Sequence, residues 1–339
     1  MNFAFISINL VQFNPSWMYN SSDERIFHGD HMPSEDFQYV AITSDFCSGI
    51  LSSRVQENYD LVYEGVQIID REIRKAFSRE GIRFTFFIRA DNQVKANFDR
   101  INALFYRYRP FWLKVQQEGD EIGWHPHLYR LRGNLWMPQT DGPGVERQLK
   151  NCFVELPMDE FYIASARIGE GMMTNYAINT LDKIGIKADS TALPGRMRND
   201  EERRFNWLKA PVHPYHPSRF DYASPGMPGG NLTLLEVPFT MVTTMAPYDK
   251  EPLKRYLDLS IDPTILGPGL KEALRSTPFT VAVIHPSFLL GETSDHELLS
   301  PGSDAVKQNI ANLLAAINMI RRKPKFIRIR DIYDMFEQK

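Results

Sequence analysis

Glu121-Ile122-Gly123-Trp124-His125-Pro126-His127 reads as a short strand that stops at a proline set between two imidazoles. Proline cannot donate to a strand ladder and fixes its own φ, so the ladder ends there. Upstream, Arg83–Ile88 reads as a second such strand, with Phe84-Thr85-Phe86-Phe87-Ile88 as its apolar run, and Arg89 and Asp91 follow it. The pattern recurs in both directions. Tyr39–Thr43 leads into Asp45, Tyr162–Ile168 contains Arg167, Ile186–Ser190 contains Asp189, and Thr280–Ile284 runs into His285. Leu232–Val237 and Phe326–Ile329 complete a set of short runs rich in β-branched and aromatic residues, the composition of strands.

The segments between them follow the helical period instead. Val62, Val66, Ile69, Ile73 and Phe77 recur at spacings of three and four and so share one face. Met173, Ala177, Leu181 and Ile184 do the same, with Gly185 as a C-terminal stop. Val306, Ile310, Leu313, Ile317 and Ile320 form a third such face, and residues 98–118 read as a helix that Pro110 splits. Strand and helix in alternation imply a parallel sheet covered by helices. The expected fold is therefore α/β, a distorted (β/α) barrel of seven or eight mainly parallel strands. The alternative is a doubly wound open sheet, but no Gly-rich phosphate turn follows the first strand. Residues 1–36, with few periodic positions, are expected to be an N-terminal extension packed on a barrel domain over 37–339. The long stretch Arg196–Gly230, rich in Pro, Gly and aromatics, is expected to form part of the site wall.

Composition narrows the function. A net charge of −3 gives no basic surface for nucleic acid, and Arg321, Arg322, Lys323 and Lys325 read as a solvated helix end. Two cysteines, Cys47 and Cys152, do not suggest a disulfide framework. No apolar run reaches the ~20 residues of a membrane span, and Met1–Leu10 lacks the form of a signal peptide. The expected location is cytoplasmic.

The conspicuous polar residues follow strands, and in a parallel barrel those ends converge on one face. His125 and His127 could both reach a divalent metal with a carboxylate as third ligand; otherwise one is a structural histidine of the barrel mouth. Asp45 is placed for a general base or a ligand, or for capping the next turn. His285 could protonate a leaving group. Arg167 would orient Asp45 or bind an anionic substrate group, with an ion pair to Glu170 as the plainer role. Cys47 could be a thiolate ligand or a nucleophile, although cysteine in such a place is more often packing. His28, Asp30 and His31 have the residue types of a metal cluster but read as surface polarity. His213 and His216, set among prolines, read as loop packing or substrate contact.

In this order the segments resemble the polysaccharide deacetylase (NodB-homology, carbohydrate esterase) family over residues 37–335. Thr43-Ser44-Asp45-Phe46-Cys47 stands where that family has Thr-Phe-Asp-Asp-Gly. Phe84–Ile88 is similar to its second strand, Asp120–His125 to its His-Glu-Ile-Gly-Asn-His segment, and Ile284-His285 to its closing Leu-x-His motif. Arg167 falls at its arginine motif, and Leu181–Ser190 with Pro194-Gly195 resembles the helix and strand that follow. The resemblance implies a divalent metal bound through one Asp and two His, and removal of acetyl groups from N-acetylated sugars. It implies Asp45 as the base, Arg167 as its orienting partner, His125 as a metal ligand and His285 as the acid. Two positions depart from the pattern: the family's metal-binding Asp is Phe46 here, and its second metal histidine is Tyr129. Either His127 stands in for the histidine and Asp45 for the ligand, which leaves Glu170, Asp91 or Asp189 as the base, or the metal site is lost.

The expected function is metal-dependent hydrolysis of an N-acyl (acetyl) group on a sugar or polysaccharide precursor. Zinc is the expected ion, with nickel, cobalt or manganese as substitutes. Asp45, His125 and His127 are the expected ligands, with Asp45, Arg167 and His285 in catalysis. Trp124, Tyr129, Arg89 and Glu170 are the expected substrate contacts. The partner would be a sugar, nucleotide sugar or glycolipid from the synthesis of a surface polysaccharide or lipopolysaccharide. Two other readings stand beside it: a carbohydrate-binding or scaffold protein on this fold, and a glycosidase pairing Asp45 with Glu170 or Asp189.

Overall fold

The sheet begins with β1, Phe37–Phe46, in which every residue but the first is buried. A strand covered on both faces belongs to the interior of a parallel sheet. Seven more strands join it: β2 (Phe84–Ile88), β3 (Glu121–Trp124), β4 (Ser165–Ala166), β5 (Ala188–Asp189), β6 (Leu235–Glu236), β7 (Phe279–Ile284) and β8 (Lys323–Phe326). All pairings among them are parallel, in the order β6-β5-β4-β3-β2-β1-β7. β8 pairs with Phe37–Val40 of β1, below the stretch Ile42–Phe46 that pairs with β2. The computed structural model describes residues 34, 36–47, 58–201, 203–227, 229–290 and 302–337. The expected N-terminal extension, apart from 34 and 36, lies outside the described residues, as do His28, Asp30 and His31.

The ends of the order, β6 and β7, are bridged by irregular chain rather than by a strand pair. Thr240 donates its N–H to Val281 O (3.1 Å) and accepts from Val281 N through Oγ1 (3.0 Å). Thr240 O accepts from Leu257 N, and Val283 bonds Leu257 and Leu259 through its N–H and C=O. The result is the distorted barrel, with a seam at Thr240.

All eight strands read from the sequence are present, Glu121–Trp124 with the expected bounds and the others shifted. Tyr162–Ile168 contracts to two ladder residues, as do Ile186–Ser190 and Leu232–Val237. The last strand lies three residues earlier than expected, because a helix starts at Ile329. The expected helices form as α1 (Tyr59–Ile68, continuing through a π turn), α2 (Asn175–Lys183) and α3 (Ser303–Met319), with their predicted faces buried or packed on the core. Thr174 caps α2 by accepting from Ala177 N, and Gly185 follows at φ +92°. Pro110 opens the second of two helices, Ala103–Arg107 and Arg109–Gln117, where its missing N–H costs no intrahelical bond.

One correction concerns the surface. Arg322 is not a solvated helix end: it donates to Gln38 Oε1, Leu274 O and Thr277 O and ties the helix Pro263–Arg275 to β1. The stretch 196–230 is largely two small hairpins, Met197–Asn199 with Arg204–Asn206 and Pro217–Ser218 with Asp221–Pro225. His216 Nδ1 lies 3.1 Å from Leu234 O, a loop-packing contact.

Candidate active site

Ladder register sets the site. Phe46, Ile88, Trp124, Ala166 and Asp189 are successive partners across β1 to β5, so the carboxyl ends of these strands lie level. The following residues, Cys47, Arg89, His125, Arg167 and Ser190, therefore begin the same face. Within β1 the period of two sends Asp45 to the barrel interior and Phe46 to the helix side. Phe46 is buried against Tyr59, Tyr108 and Trp112, with ring centroids 5.3–5.8 Å away. Beyond it the chain turns, with Cys47 N donating to Asp45 O (2.9 Å).

Arg167 organises the interior. Its Nη1 donates to Asp45 Oδ1 and Thr43 Oγ1, both at 2.7 Å. Its Nε and Nη2 donate to Ser190 O and Oγ. The guanidinium lies between the rings of Phe87 (4.4 Å) and Phe239 (4.1 Å). Burial alone would raise the Asp45 pKa, but Arg167, His125 and His285 outweigh it and hold the carboxyl below its usual range. Asp45 is thus an ionised, oriented carboxylate paired with Arg167.

His125 Nδ1 donates to Arg167 O (2.7 Å), which leaves Nε2 as the lone-pair nitrogen, 3.2 Å from His127 Nε2. His127 is fixed by its backbone, since its N–H donates to Asp91 Oδ2 and its C=O accepts from Gln148. Burial lowers the pKa of both rings, and for His127 the Arg89 and His125 charges lower it further, so both are neutral near pH 7. One ligand atom each of Cys47, His125 and His127 lies within 4.8 Å of the other two. Cys47 thus stands with the two histidines, while Asp45, expected as their third partner, is paired with Arg167.

On the neighbouring strand His285 Nδ1 lies 2.9 Å from Asp258 Oδ2. Burial opposes protonation of His285, but Asp258 and Asp45 overcome it and raise the pKa to about 8. Asp258 was not singled out in the sequence. The alternation in Tyr256-Leu257-Asp258-Leu259-Ser260-Ile261 was the available signal, because it places an acid on an inward face beside β7.

Other expected residues fall elsewhere. Trp124 is fully buried, donates to Ala90 O (2.9 Å) and packs on Phe153, so it is no platform for a sugar. Tyr129 is buried behind His127 at 6.0 Å between rings. Arg89 is fully buried in a two-bond pair with Asp91, and Asp91 also caps the helix Asn92–Phe98. That occupies both as structural groups and removes Asp91 from the candidate bases. Glu170 pairs with Arg203 rather than Arg167. Asp189 is fully buried beside Glu236 on β6; burial lifts its pKa to about 6 and lifts that of Glu236 well above the usual range. A buried acid pair of this kind cannot face a sugar, which removes Asp189 from the two-carboxylate reading. The hairpin at Met197–Asn206 does line a groove with Leu128, Met172 and Tyr222, of about 340 Å³.

No protein-family profile and no curated protein matches the chain. Solved structures do. A candidate polysaccharide deacetylase from Mycobacterium smegmatis aligns over 89% of this chain and 91% of its own, at 13% identity and a TM-score of 0.50. The allantoinase PuuE aligns over 90% and 92%, also at 13% identity and a TM-score of 0.50. Such likenesses establish the fold, which is the one expected from the sequence.

Proposed function

We propose that this protein hydrolyses an N-acyl C–N bond on a sugar or polysaccharide precursor, with a divalent metal held by Cys47, His125 and His127. One observation carries the reading: the three potential ligand atoms share the barrel mouth with an Asp45–Arg167 pair and a His285–Asp258 pair. The donor set fits a metal. Both imidazoles are neutral, His125 is oriented by a carbonyl on its other nitrogen, and two nitrogens with one sulfur suit zinc or cobalt better than manganese. Such an ion, when bound, acidifies water and polarises a carbonyl.

The side chains divide the remaining work. With Cys47 as third ligand, Asp45 keeps the role of base: its ionised carboxylate takes the proton of the attacking water, and Arg167, itself bonded to Thr43, holds it still. His285, protonated below about pH 8, gives a proton to the departing amine, and Asp258 holds its ring. Fully buried Trp124 and Tyr129 exclude water from behind the histidines. A nucleotide sugar or glycolipid precursor is the substrate class to assay first. Among the described residues no helix is long and apolar enough to cross a membrane.

The test is metal content in protein purified without a metal-affinity tag, beside the His125→Ala/His127→Ala double variant, followed by acetate release from N-acetylated nucleotide sugars. About one ion per chain in the wild type, none in the variant, and chelator-sensitive acetate release are expected. If neither protein takes up zinc or cobalt, the metal mechanism falls and the mouth is a binding site.

A further inference from the structure

The strand Leu253–Tyr256 borders the mouth, and its alternation puts Lys254 and Tyr256 on one face, with Arg255 turned to Asp249 on the other. The Tyr256 ring stands 6.3 Å from His285 and 5.3 Å from Phe239, the ring that covers Arg167. It is partly exposed, and its hydroxyl has no hydrogen-bond partner among the described residues. Arg196 reaches the same rim: its Nη1 donates to Lys254 O (3.2 Å). Lys254 Nζ in turn lies 3.4 Å from where a Cβ on Gly195 would be.

Three other arginines near this rim are neutralised. Arg198 pairs with Asp200, Arg203 with Glu170 and Arg255 with Asp249. Half-buried Arg196 has no carboxylate among the described residues, and neither has Lys254. Holding a guanidinium out of bulk water without a counter-charge costs free energy, and a backbone carbonyl offsets only part of it. Burial and the surrounding arginines accordingly act against its charge. Three donor groups, two of them cationic, thus share this edge of the mouth, and among the described residues the backbone carbonyl of Lys254 is the only acceptor their side chains reach.

We propose that Arg196, Lys254 and Tyr256 form an anion-binding subsite at the barrel mouth, which takes a carboxylate or phosphate carried by the substrate. The assignment of that anion to a substrate rests on the hydrolase reading; the subsite itself does not. A planar guanidinium suits either anion through paired N–H donors, and the ammonium and phenol supply further ones. The substrate would then be an acidic sugar derivative, with the anion on the Tyr256 side and the acyl group toward Cys47.

The test is calorimetric titration with N-acetylglucosamine, N-acetylglucosamine 1-phosphate, N-acetylmuramic acid and inorganic phosphate. Wild type, Arg196→Gln, Lys254→Gln and a control, Arg204→Gln, are compared. At least one acidic sugar should bind ~10-fold more tightly than the neutral one. Arg196→Gln and Lys254→Gln should each erase most of that preference, and Arg204→Gln should not. Whether the phosphate or the carboxylate sugar gains more identifies the anion. Equal binding of neutral and acidic sugars, unchanged in Arg196→Gln, overturns the subsite and leaves the hydrolase reading standing. Binding of inorganic phosphate that depends on Arg196, with no sugar bound, upholds the subsite and sinks the sugar reading. No binding of any of the four overturns both.

Discussion

Asp45, Phe46 and Cys47 are consecutive, yet strand alternation sends Phe46 into the aromatic layer under the helices and keeps its two neighbours at the mouth. The position where the resembled family carries a metal-binding acid is therefore filled by packing, and the residue after it is the one that stands beside the two histidines. Cobalt-substituted protein should show a near-ultraviolet sulfur-to-cobalt charge-transfer band, absent in Cys47→Ser. Cobalt bound without that band would exclude Cys47 as a ligand. At His285, the protonated form dominates below about pH 8. Activity that needs it as an acid is present below that pH and falls as pH rises through it. Asp258→Asn removes the largest influence raising the pKa, so the alkaline limb of kcat/KM should move acidward, toward ~6.5. The ion pair's contribution to stability follows the same sign: full below ~6.5, lost as pH rises through about 8. An alkaline limb that stays in place in Asp258→Asn would detach His285 from the reaction.

At the scale of elements, short strands with level ends do the positioning. β4 and β5 contribute only two ladder residues each, but these suffice to set Arg167 beside His125 and Ser190 beside Arg167. The turn after β4 also braces His127. A Cβ on Gly169 would fall 2.1 Å from His127 Cδ2 and 2.3 Å from its Nε2. Gly169→Ala must displace the imidazole, with little cost in backbone conformation. Metal affinity, measured by competition with a chromophoric chelator, should fall ~10–100-fold. Far-ultraviolet circular dichroism should be unchanged. An unaltered affinity would mean that the ring is not held by this contact or is not a ligand.

At the scale of the whole molecule, closure of the barrel runs through Thr240 and through the bonds of Val283 to Leu257 and Leu259. Thr240 satisfies the N–H groups of Val281 and Leu257 where no regular strand pair spans β6 to β7. Thr240→Val keeps the shape and leaves the Val281 N–H buried without its acceptor. Urea unfolding should record a loss of ~1–3 kcal/mol. A loss near zero would place closure in the flanking side chains rather than at this seam. The same segment carries Phe239 onto Arg167, so the seam and the site share a support.

Local patterning in the sequence determined the alternation of strands and helices, all eight strands of the sheet, and the placing of Asp45, His125, Arg167 and His285 after strand-like runs. Period and composition act between near neighbours, and a parallel α/β order follows from them. Tertiary structure decided which polar residues face the mouth and which face the core. Trp124, Tyr129 and Arg89 have the chemistry of a binding site, but register and alternation bury them, and Arg89 is spent on Asp91. Asp258 and the Cys47–His125–His127 grouping arise only when segments distant in the chain are laid side by side. A side chain's type is local, but its partner is set by the packing of the sheet.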